Sequence, residues 1–206
     1  MNITEFKKLP ILGILRGIES GDIEPLFEII ESAGLKTIEI TMNTPSAPEL
    51  IRKAVARAKG WITIGAGTVL DMRSLKLALD AGATFIVMPA LIEDVTEYCV
   101  KNRIPVFPGA FSPQEIYRAW KAGAAMVKVF PSGFLGPEYF KEIKGPFNDI
   151  ELLACGGVRA ENMKSYFANG ASAVSFGASV FRKEWLDGKD FSRIGQAIQE
   201  YIRAFK

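Results

Sequence analysis

Four junctions in this 206-residue chain read alike: Ser32-Ala33-Gly34-Leu35, Asp80-Ala81-Gly82-Ala83, Lys121-Ala122-Gly123-Ala124 and Ala168-Asn169-Gly170-Ala171. Each closes a stretch of helical periodicity with a glycine and opens an apolar run two or three residues later. The glycine supplies the left-handed turn that ends a helix at little steric cost, and a small residue follows where helix meets sheet. These junctions precede the second, fourth, sixth and eighth apolar runs. The chain therefore counts out βα units of roughly 20–25 residues, a rhythm that constrains the fold more than any other feature.

The runs expected as strands are Ile11–Gly17, Thr37–Thr41, Ile62–Thr68, Phe85–Pro89, Pro105–Phe111, Met126–Pro131, Glu151–Gly157 and Ala173–Gly177. Helical spacing lies between them over Gly21–Ala33, Pro45–Ala58, Asp71–Ala81, Ile92–Lys101, Pro113–Ala122, about Gly136–Lys144 and Ala160–Ala168, with Phe191–Phe205 closing the chain. Ser112-Pro113-Gln114-Glu115 has the N-cap, first-turn proline and acidic third position of a helix start. Strict βα alternation implies a parallel sheet covered by helices. Eight units with no change of composition imply a single α/β domain over residues 1–206, a (β/α)8 TIM barrel with a short N-terminal helix at Ile3–Lys8. An open doubly wound sheet is the alternative.

Composition narrows the function by exclusion. With 25 basic and 23 acidic side chains, net +2 and scattered, the chain has no field that would draw nucleic acid or a membrane surface. Nothing approaches the ~18 apolar residues of a membrane span. The start, MNITEFKKLPILGILRG, is not expected to act as a signal peptide, because its apolar core is short, broken by Gly13 and followed by Arg16. Two cysteines, Cys99 and Cys155, lack metal-ligand spacing and give no disulfide framework, so a reducing cytoplasm is expected. Histidine is absent, which excludes Ser-His-Asp and Cys-His machines. Proton transfer near neutral pH then falls to a carboxylate, lysine, tyrosine, cysteine or water.

In a barrel of this kind the chemistry sits at the C-terminal ends of the strands. Polar residues there stand out against an interior normally filled by Val, Ile and Leu. Met126, Lys128 and Phe130 share one strand face, with Val127 and Val129 on the other. If both faces are covered, Lys128 is buried, and burial of an unpaired ammonium favours the neutral, nucleophilic amine. Glu39, between Ile38 and Ile40, faces the interior by the same logic, and Arg16 ends the first strand. Three ionisable groups on three interior faces point to carbonyl or proton-transfer chemistry, although a barrel-filling Glu39–Lys128 or Glu39–Arg16 ion pair would use the same residues. Gly156-Gly157 after the seventh strand and Gly177 after the eighth lie where this fold commonly binds phosphate through backbone N–H groups.

At these residues the chain resembles the KDPG/KHG aldolases, the class I enzymes that cleave 2-keto-3-deoxy-6-phosphogluconate (KDPG) or 4-hydroxy-2-oxoglutarate (KHG). The matching pieces are ILRG at Ile14–Gly17, IEIT at Ile38–Thr41, IGAGTV at Ile64–Val69, PG at Pro108-Gly109 with SPQE at Ser112–Glu115, KVFP at Lys128–Pro131, LGPEYFKEIKGPF at Leu135–Phe147 and GGV at Gly156–Val158. They occur in order over nearly the whole chain. The resemblance implies that Lys128 forms a Schiff base with the C2 carbonyl and that Glu39 moves protons. It implies that Arg16 lies near the catalytic pair and the charged groups of the substrate, and that Thr68 and Pro89 line the pyruvate pocket. No metal or other cofactor is implied, because the iminium replaces a Lewis acid. The products would be pyruvate and glyceraldehyde 3-phosphate, in an Entner–Doudoroff setting, and the assembly a homotrimer.

The chain departs from the family pattern in places. Asn43 stands where several relatives carry arginine, Cys155 where threonine is usual, Ala90 where some carry histidine, and Ala178 where a phosphate-holding serine is common. At Ala178 the backbone N–H remains, and Ser175 or Ser179 could supply the missing hydroxyl. A galactonate epimer, 4-hydroxy-2-oxoglutarate or a non-phosphorylated acid therefore stays open as substrate. Outside the aldolases, a phosphosugar isomerase or epimerase with Glu39 as base, or a barrel that only binds ligand, remains possible.

Overall fold

The computed structural model describes residues 1–206. Nine parallel segments form one sheet in the order β5-β4-β3-β2-β1-β9-β8-β7-β6. They are β1 (Ile11–Leu15), β2 (Thr37–Thr41), β3 (Thr63–Gly67), β4 (Ile86–Val87), β5 (Val106–Phe107), β6 (Gly109–Ala110), β7 (Val127–Val129), β8 (Leu152–Cys155) and β9 (Ala173–Phe176). The two ends of that list, β5 and β6, are halves of one run broken at Pro108, which has no N–H to give a ladder. The Pro108 carbonyl still accepts from Lys128 N–H at 2.9 Å, so the ring closes through the proline and the eight-unit barrel is realised.

Helices alternate with these strands as the junction rhythm implied, and Gly34, Gly82, Gly123 and Gly170 all take left-handed φ between 90° and 98°. The main difference lies after β7. The single helix expected near Gly136–Lys144 is two, Ser132–Leu135 and Glu138–Lys144, because Gly136 turns with a φ of 73° and Pro137 restarts the chain. Short helical pieces at Ser20–Asp22 and Lys183–Asp187 were also not legible. The helix expected from Pro45 begins at Ala47, behind Ser46 in a left-handed conformation. No helix is long and apolar enough to cross a membrane.

Two apolar clusters hold the barrel. The larger packs the outward strand residues, such as Ile38, Ile40, Val127 and Val129, against the helices. The smaller fills the barrel itself with Leu12, Phe85, Val87, Phe107, Met126, Leu153 and Ala173. Its N-terminal end is plugged by Phe6 from the first helix (Ile3–Phe6), stacked on Phe107 with ring centroids 6.1 Å apart. Gly65 is what admits Phe85, since a methyl group there would lie 2.6 Å from a ring carbon. With the lower interior sealed by rings, only the C-terminal half of the barrel is left for polar groups.

Candidate active site

The polar tier sits directly above that apolar layer. Leu12, Met126, Leu153 and Ala173 face inward, so alternation turns Ile14, Lys128, Cys155 and Ser175 inward one step later on the same strands. On β2 the outward packing of Ile38 and Ile40 turns Glu39 and Thr41 inward. Register then puts Glu39 opposite Gly65 and Ile14, Lys128 opposite Gly109 and Leu153, and Cys155 opposite Ser175.

Glu39 is 1% exposed and Lys128 7%. Neither forms an ion pair within 4 Å, and Glu39 Oε2 is buried without a hydrogen-bond partner. A merely structural Glu39–Lys128 or Glu39–Arg16 bridge is thus not formed. Burial holds the Glu39 carboxyl above the usual carboxylate range, and the charges of Lys128 and Arg16 oppose that rise. The carboxylate lies over Gly67, the one position on β3 where a Cβ would strike it. Lys128 Nζ stands 5.2 Å from the centre of the Phe130 ring. An amine with no carboxylate partner and a carboxyl with one unpartnered oxygen, both buried in the barrel, can attack a carbonyl and exchange protons with the adduct.

The other expected residues lie just beyond the C-terminal ends of their strands. Arg16 is exposed where β1 ends. Asn43 is exposed two residues beyond β2, and Thr68 follows β3 with a left-handed φ of 54°, a conformation that costs a β-branched residue about 1–3 kcal/mol. Pro89 follows β4, and its carbonyl comes so close to Gly109 that a side chain there has no room. Pro89 and Gly109, with Ala90, Phe111, Arg118 and Phe130, line a rim cavity of about 300 Å³. Lys128 and Glu39 do not line it. Gly156 and Gly157 follow β8, and Gly177 and Ala178 follow β9, its neighbour in the sheet.

Three buried hydroxyls shape the site, and two of them, Thr44 and Ser132, were not singled out from the sequence. Thr44, buried, accepts from the Gly17 N–H at 3.1 Å and pairs with the Thr41 hydroxyl at 3.0 Å, tying the exit of β1 to that of β2. Ser132 donates to the Val129 carbonyl at 2.7 Å and accepts from the Cys155 N–H at 2.9 Å, tying β7 to β8. Ser175 corrects an expectation: it is buried and donates to the Ala154 carbonyl at 3.1 Å, so its proton is not free for a phosphate. The Cys155 thiol is pushed up by burial, with Lys128 close enough to oppose the shift.

A closed (β/α)8 barrel with a buried lysine and glutamate in its C-terminal half places the chain among barrel proteins with an enclosed polar site, and its likeness to known proteins says which. The model of the family "KDPG and KHG aldolase" matches residues 3–197, and the chain belongs to that family. It is 31% identical over 202 residues to a 2-dehydro-3-deoxy-phosphogluconate aldolase of Pseudomonas aeruginosa, covering 98% of this chain and 90% of that protein. It is 30% identical over 200 residues to a 2-dehydro-3-deoxy-6-phosphogalactonate aldolase of Escherichia coli, with 97% and 96% covered. Among solved structures, native KDPGal superposes with a TM-score of 0.90 at 31% identity, over 96% of this chain and 95% of that one. A KDPG aldolase from Legionella pneumophila, with pyruvate captured as a covalent carbinolamine, gives 0.85 at 25% identity over 92% of each. The protein is an aldolase, a carbon–carbon lyase, rather than an isomerase or a barrel that only binds ligand.

Proposed function

We propose that this aldolase cleaves a 2-keto-3-deoxy-6-phosphohexonate through a Schiff base on Lys128. The observation that carries the reading is that Lys128 and Glu39 are both buried inside the barrel with no ion pair formed, and that Glu39 Oε2 has no partner at all. The Lys128 amine attacks C2 and a carbinolamine forms. Loss of its hydroxyl as water leaves an iminium. Glu39, as carboxylate, takes the C4 hydroxyl proton, the C3–C4 electrons move into the iminium, and the aldehyde departs. The remaining enamine gains a proton at C3, and hydrolysis returns pyruvate and free Lys128. Glu39 suits both directions of proton traffic, because burial raises it toward the working pH while two nearby cations limit the rise.

Thr68 and Pro89 would enclose the pyruvate end, and Arg16 and Asn43 would meet the polar groups of the chain. The far phosphate would rest on the amides of Gly156, Gly157, Gly177 and Ala178. The gluconate isomer, yielding glyceraldehyde 3-phosphate, is the primary reading. The galactonate epimer is the second, favoured by the likeness to native KDPGal and by a relative of matching identity. A cytoplasmic homotrimer, as the resemblance implies, belongs to the same proposal.

Borohydride reduction in the presence of pyruvate should add one pyruvyl group to Lys128, located by peptide mass spectrometry. Absence of that adduct sinks the Schiff-base reading. Cleavage rates on the two phosphorylated epimers and their non-phosphorylated forms then choose the substrate.

A further inference from the structure

The loops after β8 and β9 meet at one phenol. Tyr201, on the closing helix Phe191–Phe205, is 3% exposed, and its ring packs on Phe176 of β9 with centroids 4.5 Å apart. Its hydroxyl donates to the Val158 carbonyl at 2.8 Å, in the loop after β8. The same oxygen lies 3.0 Å from the Ser179 hydroxyl, in the loop after β9. No other side chain hydrogen-bonds to both loops.

The proton arrangement follows from counting. A phenol has one proton, and a carbonyl can only accept. The Tyr201 proton therefore belongs to Val158, and Ser179 must be the donor to Tyr201. Burial pushes Tyr201 up to about 12, so the phenol keeps that proton at ordinary pH. Ser179 has then spent its own proton, as Ser175 has on Ala154. Neither serine replaces the hydroxyl missing at Ala178. The donors left at this rim are backbone amides: those of Gly156, Gly157, Ala178 and Ser179 donate to no backbone or side-chain acceptor in turns or loops. Amides fixed to the backbone bind an anion only if the backbone is held in place.

We propose that Tyr201 is a positioning residue that sets the spacing of these two loops, so that their free amides converge on the distal phosphate of the substrate. The proposal rests on the phosphate use assigned above. It makes a residue on the last helix, outside the barrel and without substrate contact, a determinant of phosphate recognition.

Tyr201→Phe tests this, because it keeps the ring packed on Phe176 and removes only the two hydrogen bonds. The KM for the phosphorylated substrate should rise about tenfold, the loss expected from one to two neutral hydrogen bonds' worth of order. Inhibition by inorganic phosphate should weaken in step. The kcat on the phosphorylated substrate and borohydride trapping of pyruvate should stay within twofold, which a merely structural defect would not allow. Ser179→Ala, which cuts one arm, should give a smaller rise in the same KM and serves if Tyr201→Phe does not fold. A wild-type enzyme that needs the phosphate, with variants that keep its KM or lose pyruvate trapping equally, overturns the proposal alone. A wild-type enzyme indifferent to substrate phosphate and to inorganic phosphate overturns the phosphate reading and the proposal together.

Discussion

Gly67→Ala separates placement of the proposed catalytic carboxylate, Glu39, from stability of the barrel. The added methyl would lie 2.6 Å from Glu39 Cδ and closer still to Oε1. Ordinary carbon contacts are about 3.5–4.0 Å, so the carboxyl must retreat by roughly 1 Å. The Gly67 backbone does not object, since its φ is not positive. The atoms met are the far end of a flexible side chain, so the fold should lose only about 1 kcal/mol, or roughly 2–4 °C in Tm for a chain of this size. Proton transfer does not tolerate the same shift, and a displacement of about 1 Å should lower kcat by about 100-fold. KM should move less than threefold, because Lys128 and the phosphate loops are untouched. Steady-state cleavage measured beside a thermal melt tests both halves. Gly65→Ala is the control: its methyl would meet the buried Phe85 ring at 2.6 Å, a rigid neighbour, and should cost about 1–3 kcal/mol of stability. A Gly67→Ala enzyme that keeps kcat within threefold refutes the assignment of Glu39. One that melts as early as Gly65→Ala refutes the other half of the reasoning, that the added methyl displaces only the flexible end of Glu39.

Two further outcomes follow from the buried titratable groups. The folded chain holds the Glu39 proton more tightly than the unfolded chain does, because burial raises its pKa. The stability linked to that proton is therefore complete below about pH 4.5 and is lost as pH rises through the folded value. The Tm of Glu39→Gln minus that of the wild type should grow from mildly acid to neutral pH, and a flat difference would contradict the buried setting. Burial also pushes the Cys99 thiol up to about 11 and raises Cys155. At about pH 8 Ellman's reagent should leave the native protein unmodified and titrate both thiols after denaturation; rapid native labelling would show that the barrel interior opens.

What the sequence could yield was whatever local pattern encodes. The glycine junctions at Gly34, Gly82, Gly123 and Gly170 set the βα rhythm because a left-handed turn is a property of one residue and its neighbours. Alternation in Thr37–Thr41 and Met126–Phe130 turned Glu39 and Lys128 inward, since the side-chain period of a strand is two in any fold. Those two facts, with a family resemblance spread over the chain, carried the barrel and the pair proposed for its chemistry. What lay beyond reach depends on partners distant in the chain. Ser179 looked like a phosphate donor until the fold brought Tyr201 to it, 22 residues away, and Ser175 until Ala154 claimed its proton. Thr44 and Ser132 gained their roles only when neighbouring strand exits came together. Glu39 could have been half of an ion pair, and only the packed barrel shows its Oε2 unpartnered. The sequence by itself determined which faces of which strands turn inward. Only the tertiary structure decided how each proton is spent, because a hydrogen bond depends on what stands within 3 Å in space, whatever its place in the chain.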